Sequence, residues 1–136
     1  MEVLISRIKR HEGLSLKPYV DTEGNLTIGY GHRIAVEIEP ISEMKAEEWL
    51  KKDIHFASEA VMSLPLVAKL NQIRRGVLIE VCFWAGFNGL LRFRKMLTAL
   101  RQGNFKRAAL ELYHSELGTK YPARAYELAV LMWEGE

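Results

Sequence analysis

Apolar residues recur at helical spacing along most of the chain, and the exception is the stretch from residue 13 to residue 40. A first helix is predicted from Glu2 to His11, with Val3, Ile5 and Ile8 apolar and Arg7, Lys9 and Arg10 solvated. Gly13 suits the left-handed residue that ends it. Two short runs follow, Leu16 to Val20 and Asn25 to Ile28, separated by Asp21-Thr22-Glu23-Gly24. That pattern predicts a hairpin closed by a type I turn, with Gly24 at positive φ. A three-residue connection pairs Asp21 with Asn25 and Tyr19 with Thr27, which puts Asp21 and Thr27 on one face. Connections of two or four residues put them on opposite faces.

Beyond a loop at Arg33–Ile41, Ser42 is the predicted N-cap of a helix that runs to about Met62. Leu66 to Ala85 is apolar on more than one face and is expected to be the buried central helix. A helix over Leu90–Gln102 should stop at Gly103. Another carries Phe105, Ala108, Ala109 and Leu112 at i, i+3, i+4 and i+7, and a last one starts at Pro122. The expected fold is α+β and mostly helical, with one small sheet near the N-terminus.

Composition narrows the class without naming a function. The chain has 136 residues, 49% hydrophobic and 26% charged, and no repeat or linker, as expected of one globular domain. Its single cysteine, Cys82, cannot form an internal disulfide and reads as a core hydrophobe. No Cys/His cluster has metal-ligand spacing, so neither metal nor cofactor is expected. Neither a signal peptide nor a bilayer-spanning run is evident, so a chain made in the cytoplasm without membrane insertion is expected. A net charge of +2 fits an anionic polymer but specifies none. The basic residues Arg7, Lys9, Arg10, Arg74 and Arg75 are scattered among acids, which argues against a nucleic-acid partner.

Candidate chemistry is concentrated in residues 12–32, EGLSLKPYVDTEGNLTIGYGH. Glycoside hydrolysis needs one carboxylic acid to protonate the leaving oxygen and a second group to handle water or stabilise positive charge. Glu12 falls at a helix C-terminus, whose negative pole favours the protonated carboxyl. Asp21 falls at the lip of the hairpin, more open to water, and Thr27 can hydrogen-bond a water molecule. Helix ends and turns also carry carboxylates for purely structural reasons, so spacing alone does not decide the matter.

This stretch resembles the signature of the phage-type lysozymes, glycoside hydrolase family 24: Glu-Gly, an Asp nine residues after that Glu, and a Thr six further on inside Thr-Ile-Gly-x-Gly-His. The likeness is nearest the T-even branch of the family. It continues through Phe83-Trp84-Ala85-Gly86-Phe87-Asn88-Gly89, Ala108-Ala109, Ser115 and Pro122-Ala123-Arg124-Ala125. It implies two lobes with a cleft between them, a small one over about 13–60 and a helical one made of about 64–136 plus helix 1–12. It also implies Glu12, Asp21 and Thr27 as the catalytic centre, Arg124 as the partner of Glu12, and a His32–Asp53 bridge. Trp84, Gly31 and Leu117 would line the substrate surface. Where the T-even branch has a glutamine and a tryptophan, Trp84 and Leu117 stand here, and the segment between His32 and Ser42 is shorter. The implied protein is a monomeric endolysin. It would cut the glycan strands of peptidoglycan after release through a membrane pore. A lytic transglycosylase and a non-catalytic glycan-binding module are the alternatives.

Overall fold

The structure, a computed structural model, describes all 136 residues and divides them into two compact units, Met1–Phe56 and Ala57–Glu136. It is mostly helical, with seven α-helices, one 3₁₀ helix and a three-stranded sheet, so the α+β class holds. The boundary between the units falls inside the helix that begins at Glu43, and the first unit holds the first helix and the sheet.

In the first unit, α1 (Glu2–Glu12) buries Leu4, Arg7 and Ile8, an i, i+3, i+4 stripe. The sequence reading put Val3 on the apolar face and Arg7 in solvent; Val3 is exposed and Arg7 is buried instead. Ile8 is common to the predicted and observed stripes, and an arginine's long aliphatic stem lets it join an apolar face. Lys9, Arg10 and His11 sit in the last turn, where the helix dipole favours cations. Gly13 ends the helix at φ 72° and ψ 170°, so the positive φ is as expected but the backbone extends away without adopting the left-handed helical conformation.

The sheet has the order β1 (Ser15–Val20), β2 (Leu26–Gly29), β3 (His32–Arg33), antiparallel throughout. Tyr19 pairs with Thr27 and Val20 with Leu26, and the Asp21 N–H donates to the Asn25 carbonyl at 2.9 Å. Gly24, at φ 83°, donates to the Asp21 carbonyl at 3.1 Å. This is the three-residue connection, and Asp21 and Thr27 share a face. Pairing is irregular between Ser15 and Tyr19, where Pro18 has no N–H to give. There the Leu16 carbonyl accepts the Ile41 N–H at 2.9 Å instead. The second hairpin, closed by Gly29-Tyr30-Gly31, was not anticipated.

Helix α2 (Glu43–Met62) starts as expected, with Ser42 Oγ accepting the Lys45 N–H at 3.0 Å. It buries Ala46, Leu50 and Ile54 along one stripe.

The second unit departs from the predicted helix boundaries. The expected helix over Leu66–Ala85 is two elements, a 3₁₀ turn (Pro65–Lys69) and α3 (Gln72–Leu91). Asn71 separates them because its side chain caps α3, accepting the Arg74 N–H at 2.9 Å. Gly86 (φ 81°, ψ 164°) breaks α3 near its end. The helix expected over Leu90–Gln102 begins later, as α4 (Arg94–Arg101). Then come α5 (Phe105–Tyr113), a short α6 (Glu116–Lys120) that was not foreseen, and α7 (Pro122–Glu134).

Val77, Leu78, Leu90, Leu100, Leu112 and Leu128 form the heart of this unit, each with no exposed surface. Cys82 is buried beside them, and burial pushes its thiol above the ordinary value. Arg74 caps the far end of α7, with Nε on the Met132 carbonyl at 2.8 Å and Nη2 on that of Trp133 at 3.1 Å. No single helix is long and apolar enough to cross a membrane.

Gly118, buried in α6, leaves no room for a side chain: a Cβ there would lie 1.9 Å from the Tyr113 carbonyl oxygen. Gly118→Ala is therefore expected to lower the urea unfolding free energy by about 2–3 kcal/mol. The exposed neighbour Thr119, changed to alanine, should stay within about 0.5 kcal/mol of the parent, apart from its small bond to the Ser115 carbonyl.

Candidate active site

Three loops of the first unit carry the candidate chemistry: the end of α1, the β1–β2 turn and the β2–β3 turn. Glu12 is the last residue of α1 and is half-buried. Opposite it stands the backbone of Gly31, at φ 72°. A Cβ built on Gly31 would lie 2.4 Å from Glu12 Oε1 and 2.9 Å from its carboxyl carbon. The second hairpin thus brings main chain directly against the acid, which only glycine permits.

The neighbouring contacts keep that turn in place. Tyr30 is buried, and Lys9 Nζ lies 5.5 Å from its ring centroid while also pairing with Glu47. The bond to Glu47 raises the Lys9 ammonium above its ordinary value, and the same bond lowers the Glu47 carboxyl. Gly29, also at positive φ, sits over Ala46 of α2, with room for a Cβ only at 3.4 Å from the alanine methyl.

Asp21 closes the first hairpin with its side chain as well as its backbone. Its Oδ1 accepts the N–H of Asn25 at 2.8 Å and that of Glu23 at 2.9 Å. Burial raises the Asp21 carboxyl, but the N–H groups of Asn25 and Glu23 and the charge of Arg33 outweigh it, so the net shift is downward. It is an ionised group of fixed orientation. Thr27 is only 2% exposed, and its Oγ1–H donates to the Asn25 carbonyl at 2.8 Å. With its hydrogen so committed, the hydroxyl's lone pairs can accept.

Tyr19, which the sequence reading passed over, lies within electrostatic range of both carboxylates. Burial first, then the charges of Glu12 and Asp21, raise its phenol above the ordinary value. The signal for it was already present in the register, since Tyr19 is the cross-strand partner of Thr27. Further along, His32 Nδ1 lies 2.7 Å from Asp53 Oδ2, the bridge between β3 and α2 that the family likeness implied. The His32 ring also packs at 4.8 Å from that of Trp49, a contact with no sequence signal.

The remaining candidates lie in the second unit. Arg124 Nε donates to Glu80 Oε2 at 3.0 Å, a partner that the sequence reading did not name. The Arg124 guanidinium lies 4.2 Å from the centroid of Trp84, whose ring meets Tyr121 at 5.5 Å edge to face. Leu117, in α6, is half-buried. No group of three or more His, Cys, Asp and Glu side chains is placed to hold a metal ion.

The phage lysozyme family profile matches residues 9–123. The chain belongs to the phage lysozyme family. It is 35% identical to the endolysin of Salmonella phage P22 over 108 residues, covering 75% of this chain and 70% of that protein. Over 146 residues it is 27% identical to the probable T4-type lysozyme 1 of Dictyostelium discoideum, covering 87% and 86% of the two chains. A second endolysin, from Acyrthosiphon pisum secondary endosymbiont phage 1, is 30% identical over 105 residues, 76% of this chain and 70% of its own. Membership makes the protein a glycoside hydrolase, a lysozyme acting on peptidoglycan. The family profile spans both hairpins and ends one residue before Arg124.

Two outcomes are expected from this geometry. Gly31→Ala forces a methyl into the Glu12 carboxyl at a strained φ, so wall-clearing activity should fall at least about 100-fold while the circular dichroism spectrum stays native. Because the Asp21 carboxyl is lowered on folding, its stabilising effect is present above the ordinary value of 3.8 and lost as pH falls through the folded value. Asp21→Asn should therefore flatten the acid side of a Tm-against-pH curve below the ordinary carboxylate value of 3.8.

Proposed function

We propose that the protein is an endolysin that hydrolyses the β-1,4 bond between N-acetylmuramic acid and N-acetylglucosamine. Glu12 protonates the glycosidic oxygen as the bond to the anomeric carbon breaks. Asp21 and Thr27 hold a water molecule on the opposite face of the sugar. Asp21 takes a proton from that water as its oxygen bonds the anomeric carbon, which gives an inverted product. The observation that supports this reading is Glu12 at the end of α1 against the backbone of Gly31, with Asp21 and Thr27 on one face of the neighbouring hairpin. One carboxyl stands at a helix C-terminus; the other is held ionised by backbone N–H groups.

Supporting roles go to Arg124, which would steady Glu12, and to the His32–Asp53 bridge, which would hold β3 against α2. Trp84 and Leu117 would contact the glycan, and Gly31 would let it approach the acid. The protein is proposed to act as a monomer, without cofactor or metal. Its partner is the glycan strand and not nucleic acid, and a membrane pore gives it access to the wall.

Turbidity of permeabilised Gram-negative cells should fall with the parent protein and stay level with Glu12→Gln, a loss of at least about 1,000-fold. Proton NMR of the first product should show the inverted anomer. Retention or an adduct on Asp21 would remove the water-positioning role, and an anhydro-sugar end would indicate a lytic transglycosylase.

A further inference from the structure

Glu80 stands inside the apolar run Val77-Leu78-Ile79-Glu80-Val81-Cys82 and has no exposed surface. Burying a carboxylate carries a large desolvation cost, and a buried ion pair often stabilises no better than apolar side chains of the same size. The pair with Arg124 therefore calls for an explanation in terms of what it holds still. Glu80 and Trp84 lie four residues apart on α3 and share one face of it. Tyr121 and Arg124 lie three apart at the start of α7. Each helix thus contributes one charged and one aromatic group, and the four interlock. Glu80 receives the Arg124 Nε–H at 3.0 Å, the guanidinium lies over the Trp84 ring at 4.2 Å, and the Tyr121 ring meets that indole edge to face at 5.5 Å.

We propose that Glu80 is a positioning residue for glycan binding, acting through Arg124 to fix the Trp84 indole as a platform for a hexopyranose ring. The inference rests on the reading of the chain as a peptidoglycan hydrolase. Trp84 is half-buried and lies two residues before the break at Gly86, so the indole stands at the end of the regular helix. Sugar rings pack their C–H faces against aromatic faces, and an indole already fixed loses little freedom when one arrives. Arg124 is itself mostly buried, with a side chain 11% exposed, and the bond from its Nε to Glu80 Oε2 restrains the plane of the guanidinium.

The test measures binding and turnover separately. Dissociation constants for soluble, uncrosslinked peptidoglycan strands are taken from tryptophan fluorescence in a Glu12→Gln background, and KM and kcat from the otherwise unaltered enzyme. Glu80→Leu should weaken binding and raise KM about five- to tenfold, the effect of releasing one or two side chains, and kcat should fall by a smaller factor because Arg124 also steadies Glu12. Glu80→Gln keeps an oxygen for the Arg124 Nε–H and should restore both values to within about twofold of the parent. In a Trp84→Ala background Glu80→Leu should change binding no further. If Glu80→Leu does not fold, Glu80→Asp, which withdraws the carboxylate by one methylene, should show the same binding loss in smaller degree. A folded Glu80 variant that binds like the parent would overturn the proposal. So would an equal loss with and without Trp84, which is what a merely structural role predicts. If the parent fails to hydrolyse walls, the proposed function fails, yet the dissociation constants still decide the role of Glu80.

Discussion

The first unit is organised around a place where main chain touches a carboxyl group. Glu12 can sit where it does only because residue 31 has no side chain and can adopt a positive φ. That requirement fixes the second hairpin, which in turn needs Tyr30 buried, Gly29 close over α2 and Lys9 held between Tyr30 and Glu47. Each contact is modest, and the Lys9–Glu47 pair is too exposed to contribute much to stability by itself. Their combined effect is to leave the acid one position.

Much of this was legible in the residues. The Asp21–Gly24 turn has a composition that favours a type I turn with glycine last, and the observed register confirms the shared face of Asp21 and Thr27. Ser42, Gly24 and Pro122 marked their boundaries because each has a local, mechanical reason to be there. The second hairpin was missed because a two-residue strand leaves no alternation to detect. The helix expected over Leu66–Ala85 failed at Asn71 because continuous apolarity hides a cap within it. Arg7 was misplaced because a charged residue on a buried stripe cannot be told from a solvated one without its neighbours.

The second unit shows the same limit in its polar contacts. A lone carboxylate within an apolar run signals that some cation must approach it, but not which one. Glu80 meets Arg124 across 44 residues of sequence, and only tertiary packing of α3 against the start of α7 brings them together. The guanidinium over the Trp84 ring and the edge-to-face contact with Tyr121 follow from that packing. Family likeness named no partner for Glu80, and the aromatic at position 84 had no counterpart from which to infer its contacts.

Cys82 has a practical consequence. It is the only cysteine, it lies in the core, and burial keeps its thiol in the neutral, weakly nucleophilic form. The fold therefore has no covalent cross-link to gain in an oxidising medium and none to lose in a reducing one. A protein built this way presents the same conformational energy to the reducing interior of a cell and to the oxidising space around its wall.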